Sequence, residues 1–549
     1  MSKFFGKYGF YITLTISVVT FLLVCGSNVL NPLNENWLLG GGDLTQQYFG
    51  WAFFRNSPWT FPVGLNPLYG LDISSSIVYS DGNPLLSIIF KTFEKYLPEV
   101  FQFQGIWLLI CFVFQGVAAW KILSLYTKDG ISKTLASSVF LLSTPMLFRV
   151  GVHVNLASHF LILFGLYLNL RPQKSKQGFW WATILLISLG VHFYIFATIY
   201  LLWIADLCDR AFGQKAIKMS KALIELITIN SLIGLCAWQF GYFSVHAPSL
   251  FGYGFFKANV LGIVNPNGWS LFIRDLPIKS SWGEGNLYLG LGIILMLLAG
   301  ALKTKNYRNI LRKFKHGHRF FIYALIFFAL FSITNQIGIG SLELRIPIPN
   351  QLLELFGILR HSARLFWPVW YFILIAACVM VIQQYQTKHA QAILLFCLGL
   401  QIIDLSPGLR WLRNDLQNKV SNEITSLPLK QPFWNIAGKN FKNIYLLPSQ
   451  SDPIPHFMTR FGSPDWKIFG RFAEQNKMGT NAVYMSRYDN QKQIASFERA
   501  QKTIRTGKYD SDTLYIIKNE DIIPVLINLD RTKSILAKVD NFNVLVPSK

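Results

Sequence analysis

Charge is scarce in this chain: 14% of its 549 residues are Asp, Glu, Lys or Arg, against 52% hydrophobic and 15% aromatic. An ordinary soluble enzyme needs a more polar surface, and the length exceeds that of a single packed domain. Acids are the scarcer sign, with 28 Asp and Glu against 51 Lys and Arg. Cysteine is sparse too. Cys25, Cys111, Cys208, Cys236, Cys378 and Cys397 lie in or beside hydrophobic stretches, and no two form a CxxC pair. Their placement argues for packing residues and against a zinc site or a disulfide framework. No Gly-rich phosphate loop, no defensible Ser, His, Asp arrangement and no internal repeat is present.

What the chain has in abundance is apolar runs near bilayer length. They cover 9–30, 101–125, 133–148, 154–170, 179–205, 222–241, 287–301, 320–335, 365–385 and 390–405, and they stop beyond 408. The stretch 179–205 has basic flanks on both sides, which requires a return to the same side; it therefore reads as two short spans hinged near His192. The expected fold is mostly α: a polytopic membrane bundle of about eleven spans over 1–408, with a long first outer loop at about 31–100. A small extracytoplasmic α/β domain is expected over 409–549. The first span follows two lysines without a small-residue cleavage site and reads as a retained helix.

The net charge of +23 is explained largely by orientation rather than by nucleic acid. The N-terminus and the links near 121–133, 171–178, 206–221, 302–319 and 388 hold 20 Lys and Arg against 3 acids. The opposite loops, 31–100, 149–153, 242–286 and 336–364, hold 10 of each. The first set is assigned to the cytoplasm. The N-terminus then lies inside and the tail outside, in a bacterial inner membrane. The basic link KTKNYRNILRKFKHGHR is suited to anionic headgroups.

The long first outer loop is where function is expected. In GGDLTQQYFGWAFFRN, a helix would place Leu44, Tyr48, Trp51 and Phe54 near one face, suited to the membrane interface, and PLLSIIFKTFEKYL forms a second such candidate. Asp43 and Asp81 in this loop are candidate catalytic carboxylates, able to act as a general base or, for Asp43, as one ligand of a divalent cation. The plainer readings are a helix N-cap for Asp43 and a turn for Asp81. Arg360 and Arg364 are four apart in GILRHSARLFWPVWY and, on a helix, would share a face able to fork onto a phosphate; interfacial anchoring is the alternative. Arg149 and His153 repeat that spacing, and His159 follows inside a span, as a functional or a hydrogen-bonded structural histidine. Glu284, between glycines, is a candidate substrate contact. Glu225 and Asp404 read as structural partners.

In the tail, NIYLLPS, AVYMSR, TLYIIK and FNVLVP read as strands, while DWKIFGRFAEQNK and NQKQIASFERAQKTI read as helices, the latter with Ile494, Phe497 and Ile504 in register.

Taken in order, GGDLTQQYFGWAFF, SSIVYSDGNPLL, RVGVHVNLASHFLIL, GEGNLYLGLG, RHSARLFWPVWY and LQIIDLSP resemble an uncharacterised bacterial family of large multi-pass membrane proteins. That family is similar to the GT-C class of glycosyltransferases. The resemblance implies sugar transfer from a polyprenyl-phosphate donor to a glycan or lipid acceptor outside the cytoplasm, with Asp43 matching the essential loop acid. Asp81 and Glu284 would be secondary polar contacts; Arg360, Arg364 and Arg149, with His153, would bind the donor. The chain lacks the paired acids of many such enzymes, which leaves metal dependence open, and it lacks the Trp-Trp-Asp signature, so transfer to protein asparagine is not implied. A lipid-linked-glycan flippase or transporter and a non-catalytic envelope-assembly protein stay as alternatives. Few acids deep within the spans argue against ion-coupled transport.

The charge pattern carries a test. Reporter fusions placed after Pro407 and within 302–319 are expected to report opposite sides of the membrane; the same side for both would overturn the orientation.

Overall fold

The computed structural model describes residues 2–172, 176–245, 252–278, 284, 286–303, 314, 317–421, 428–447, 465–487 and 489–548. The basic link around Arg312 lies outside the described residues. Helix dominates. In chain order come α1 (Ser2–Cys25), α2 (Gly42–Asn56), α3 (Pro84–Thr92), α4 (Gln104–Leu123), α5 (Gly130–Phe140), α6 (Thr144–Val150) and α7 (Phe160–Leu170). Then follow α8 (Gln177–Val191), α9 (Phe193–Cys208), α10 (Met219–Phe240), α11 (Leu291–Lys303) and α12 (Arg319–Ile333). A hairpin of β1 (Gln336–Ile339) and β2 (Leu342–Arg345) leads to α13 (Asn350–Gly357), α14 (Trp367–Gln384), α15 (Thr387–Asp404) and α16 (Ser406–Ser421). The remainder holds α17 (Phe433–Asn440), β3 (Asn443–Leu446), α18 (Asp465–Gln475), β4 (Gly479–Thr480) and α19 (Asn490–Thr506). It closes with β5 (Thr513–Ile517), α20 (Ile522–Ile527), β6 (Ser534–Val539) and β7 (Phe542–Pro547).

The chain divides into two compact units. The first comprises 1–32, 103–233 and 249–418; the second comprises 33–102, 234–248 and 419–549. In the first unit four segments are long and apolar enough to cross a membrane: Phe4–Cys25, Gln104–Leu123, Met219–Phe240, whose last turns belong to the second unit, and Ser362–Gln384. The pairs α5 with α6 and α15 with α16, bent by 52° and 53°, raise that number to six among the described residues. Several further apolar helices are shorter than the roughly 20 residues a perpendicular crossing needs. The chain is thus a membrane protein by helix length and composition. α1 packs on α4 and α5, α4 on α7, and α11 on α14 and α15.

The expected break at His192 is present. Its backbone is extended at φ −167° and ψ 136°, ending α8 and starting α9, and its Nδ1 accepts from the Tyr194 amide at 3.1 Å. Glu225 pairs with Arg210 at 2.5 Å, as a structural residue should. Asp404 is held differently, with no cation partner among the described residues. Its carboxylate accepts from the Ser270 hydroxyl, from Tyr288 Oη at 2.8 Å and from the Leu291 amide at 2.9 Å, so it caps the start of α11.

In the second unit the first outer loop folds with the tail. Strands run in the order β4-β3-β5-β7-β6, with β3 parallel to β4 and β5, and β7 antiparallel to β5 and β6. The loop extends this sheet: Thr480 donates its amide to Leu68 O at 3.0 Å and accepts from the Gly70 amide at 2.8 Å. α2 departs from the interfacial expectation. Every residue from Leu44 to Phe54 is buried, because apolar and aromatic side chains surround the helix, which makes it a core element rather than an amphipathic one. AVYMSR lies beyond the two-residue β4 and is irregular, β6 was not anticipated, and Ile494 is exposed while Gln493, Ser496, Ala500 and Ile504 form the buried stripe of α19.

Two charged centres hold this unit. Arg471 of α18 bridges Glu35 and Glu474, the latter at 2.6 Å, and Tyr48 of α2 donates to Glu35. Burial, opposed by Arg471 and aided by Glu35, lifts the Glu474 carboxyl to about 7. Lys91 of α3 is buried, its ammonium donating to Phe54 O and Ser57 O at 2.8 Å each and resting over the Phe54 and Trp59 rings. Burial lowers its pKa to about 8, so it remains charged at neutral pH. Lys91→Met would retain the stem and strand both carbonyls. Hydrogen bonds to a charged group contribute about 1.5 kcal/mol or more each, so a loss of about 3 kcal/mol is expected, read as a lower melting temperature in detergent. An unchanged melting temperature would show that the clamp is dispensable.

Candidate functional site

One carboxylate of the first unit gathers two buried arginines. Glu284 lies on the segment that precedes α11, and two arginines reach it from distant parts of the chain. Arg149, on the last turn of α6, donates from Nη1 at 3.3 Å and Nη2 at 2.7 Å. Arg364, in the 3-10 turn Ser362–Phe366 that leads into α14, donates from Nε at 2.9 Å and Nη2 at 2.7 Å. Both forks are bidentate, the geometry a guanidinium uses for carboxylate or phosphate. The side chains are 3%, 6% and 10% exposed for Arg149, Arg364 and Glu284, so all three are withdrawn from water.

Aromatic and imidazole groups complete the surroundings. Arg364 lies over the Tyr194 ring at 4.8 Å and Arg149 near the Trp367 ring at 5.7 Å, positions favoured by cation–π attraction. His361 Nδ1 stands 3.3 Å from Glu284, its ring stacks on Phe256 at 4.1 Å, and its backbone amide donates to Tyr194 Oη at 2.9 Å. Burial and then Arg364, against Glu284, lower the His361 pKa to about 3, so the ring is neutral at physiological pH. Burial alone would raise the Glu284 pKa, but Arg149, Arg364 and His361 outweigh it and hold the carboxyl well below the usual range. Two guanidiniums therefore share one carboxylate. Arg360, partly buried beside the cluster, adds to it electrostatically.

The expected helical face shared by Arg360 and Arg364 is absent. The chain turns between them, with His361 at φ −85° and ψ 63°, and α14 starts only at Trp367 with Pro368 in its first turn. Sequence reasoning nevertheless selected Arg149, Arg364 and Glu284, which the structure joins. It did not single out His361, although that residue lies between the two arginines it chose.

His153 follows α6, its amide bonded to Arg149 O at 2.8 Å, and its ring stands 5.0 Å from that of His192. The ring nitrogens of this pair lie within 4.8 Å, close enough to suggest a shared cation. His192 is poorly prepared for that role in this conformation. Its Nδ1 accepts the Tyr194 N–H, so the neutral ring carries its proton on Nε2, a donor rather than a metal ligand. His159 is hydrogen-bonded, Nδ1 to Tyr371 Oη at 2.9 Å, and stacks near Trp367 at 4.3 Å.

The two loop aspartates belong to the second unit. Asp43 is the second residue of α2, whose cap is Gly41 rather than Asp43 itself. Gly41 and Gly42 both have positive φ, at 106° and 63°, a conformation that suits glycine. Lys467 crowds Gly41, its Nζ lying 3.3 Å from where a Cβ would stand. Asp81 sits in a turn with φ 53°, and the neighbouring Ser80 packs on Gly50, about two helical turns along α2 from Asp43.

Fold and site together describe a membrane-embedded helical protein with a buried arginine–carboxylate centre and a second unit built on a five-stranded sheet. The chain belongs to the family described as a domain of unknown function, DUF6311, which matches residues 14–406, and the DUF6311 C-terminal domain matches 433–547. No match is found among curated proteins. Among solved structures, the archaeal oligosaccharyltransferase AglB from Archaeoglobus fulgidus, in complex with an inhibitory peptide and a dolichol-phosphate, is similar at 10% identity and a TM-score of 0.40. That similarity covers 87% of this chain and 65% of AglB.

The imidazole provides a pH test. Unfolded His361 takes up a proton near 6.5 and the folded one only near 3, so stability is full above 6.5 and falls as pH drops toward 3. Glu284, depressed from 4.5, adds its loss only below that value. His361→Phe keeps a ring against Phe256 and removes the first titration. Its melting temperature is expected to change less than wild type between pH 6.5 and 5; an equal acid slope would assign the loss elsewhere.

Proposed function

We propose that the protein is a membrane glycosyltransferase that moves a sugar from a polyprenyl-phosphate donor to an extracytoplasmic glycan or lipid acceptor. The observation that carries this reading is the buried centre of Arg149, Arg364 and Glu284, two bidentate guanidinium forks at the ends of apolar helices. Ionisable groups are costly in a membrane-embedded bundle, and their usual return is a ligand or a pathway. A lipid phosphate matches a guanidinium fork.

In the reaction, an acceptor hydroxyl attacks the anomeric carbon and the bond from that carbon to the phosphate oxygen breaks. The phosphate leaves with the electron pair, and the arginines stabilise its developing charge. Asp43 takes the acceptor's proton as general base, with Asp81 as a second loop carboxylate. Arg360, His153 and Glu284 belong to the donor side, Glu284 by orienting both forks. Eleven spans and an outward-facing tail are part of this reading.

The test uses purified protein in lipid nanodiscs with radiolabelled polyprenyl-phosphate sugars. Asp43→Asn is expected to abolish transfer with insertion intact, and Arg364→Ala to weaken donor binding by about one to two decades, the size of a charge-assisted hydrogen bond. Lys at position 364 should rescue only in part, since it keeps the charge without the fork. Transfer near wild type in Asp43→Asn would sink the catalytic assignment, and movement of the lipid-linked sugar across the membrane without transfer would favour the flippase.

A further inference from the structure

Asn286 is a buried amide that the reaction described above does not use. It is 3% exposed, and neither Oδ1 nor Nδ2 has a hydrogen-bond partner among the described residues. Such groups are rare in folded proteins, because each buried donor or acceptor left unmade costs its desolvation. Its position is what gives the orphan meaning. Asn286 stands two residues from Glu284, and the residues that follow it are threaded between the elements that carry the two arginines. Thr144, on α6 with Arg149, donates to Tyr288 O at 2.5 Å, and Trp370, on the helix that follows Arg364, donates to Leu287 O at 2.9 Å. The backbone of Leu287 and Tyr288 is thereby tied to both arginine-bearing elements, and an amide with both a donor and an acceptor open precedes it, two residues along the chain from the carboxylate that both arginines share.

A phosphate oxygen could use only the donor half of that amide. A hydroxyl, which donates and accepts, uses both. We propose that Asn286 is a specificity residue that hydrogen-bonds an uncharged hydroxyl or acetamido group of a ligand whose anionic part is held by Arg149 and Arg364; the chemical class is a glycosyl phosphate. This rests on the glycosyltransferase reading and adds to it the group that distinguishes the sugar-bearing lipid from the bare one.

The experiment compares affinities of the full-length protein in nanodiscs for polyprenyl phosphate, polyprenyl phosphoglucose and polyprenyl phospho-N-acetylglucosamine, in wild type, Asn286→Leu and Arg364→Lys. Wild type is expected to prefer at least one sugar-bearing lipid. Asn286→Leu is expected to lose that preference by roughly tenfold, the size of one or two neutral hydrogen bonds, while its affinity for bare polyprenyl phosphate holds. Arg364→Lys should weaken all three alike. The ligand-free melting temperature of Asn286→Leu should equal or exceed that of wild type, because an apolar side chain replaces an unsatisfied polar one. A lower melting temperature, a preference that survives in Asn286→Leu, or no preference in wild type would overturn the assignment of Asn286 alone. Failure of wild type to bind any of the three lipids would overturn the glycosyltransferase reading with it.

Discussion

The carboxylate of Glu284 makes the centre of the first unit tenable. Two guanidiniums buried without a counter-charge would repel one another and forgo hydration, a loss of several kcal/mol per ion. Glu284 accepts two hydrogen bonds from each. Because Arg149 is 135 residues away and Arg364 is 80 away, the same contact ties the end of α6, the turn before α14 and the approach to α11. The electrostatic centre is thus also a topological clasp. Tyr194 and Trp367 flank it with ring faces, whose quadrupoles favour the guanidiniums beside them.

The second unit solves a related problem with different chemistry. Its first outer loop is long and would be costly to order by itself. Lys91 gathers the Phe54–Ser57 carbonyls, while Arg471 and Tyr48 join α18 to α2 and to Glu35. The loop thereby becomes part of a folded unit with the tail. Asp43 consequently sits on a helix buried along most of its length, with open space at Gly42. A carboxylate held so is better placed for repeated use than one on an unanchored loop.

Local signals in the sequence were legible and long-range ones were not. The His192 break could be read because two basic flanks demand a return to one side, and α2, α3, α18 and α19 could be read from spacing. The burial of α2 was misjudged by weighing one apolar face and neglecting Phe49, Ala52 and Phe53 around the rest of the helix. The non-helical turn at Arg360 had a signal in Pro368, a residue at home in the first turn of a helix, which places the start close before it. No local pattern could announce that Glu284 joins two arginines across 135 and 80 residues. Asn286 gave no signal, since an orphan amide is defined only by what surrounds it.

A purely structural ion cluster and a ligand site make different demands on charge balance. Asp206, Glu225 and Arg210 form another buried cluster of this kind: Arg210 pairs with Asp206 at 2.7 Å and with Glu225 at 2.5 Å, and the indoles of Trp181 and Trp203 donate to the two carboxylates. At Glu284 two bases share one acid, and the nearest imidazole is kept neutral by burial rather than recruited as a further charge. Bidentate forks already shaped around a carboxylate need little reorganisation to meet a phosphate, so part of the cost of ordering them is met in folding rather than in binding.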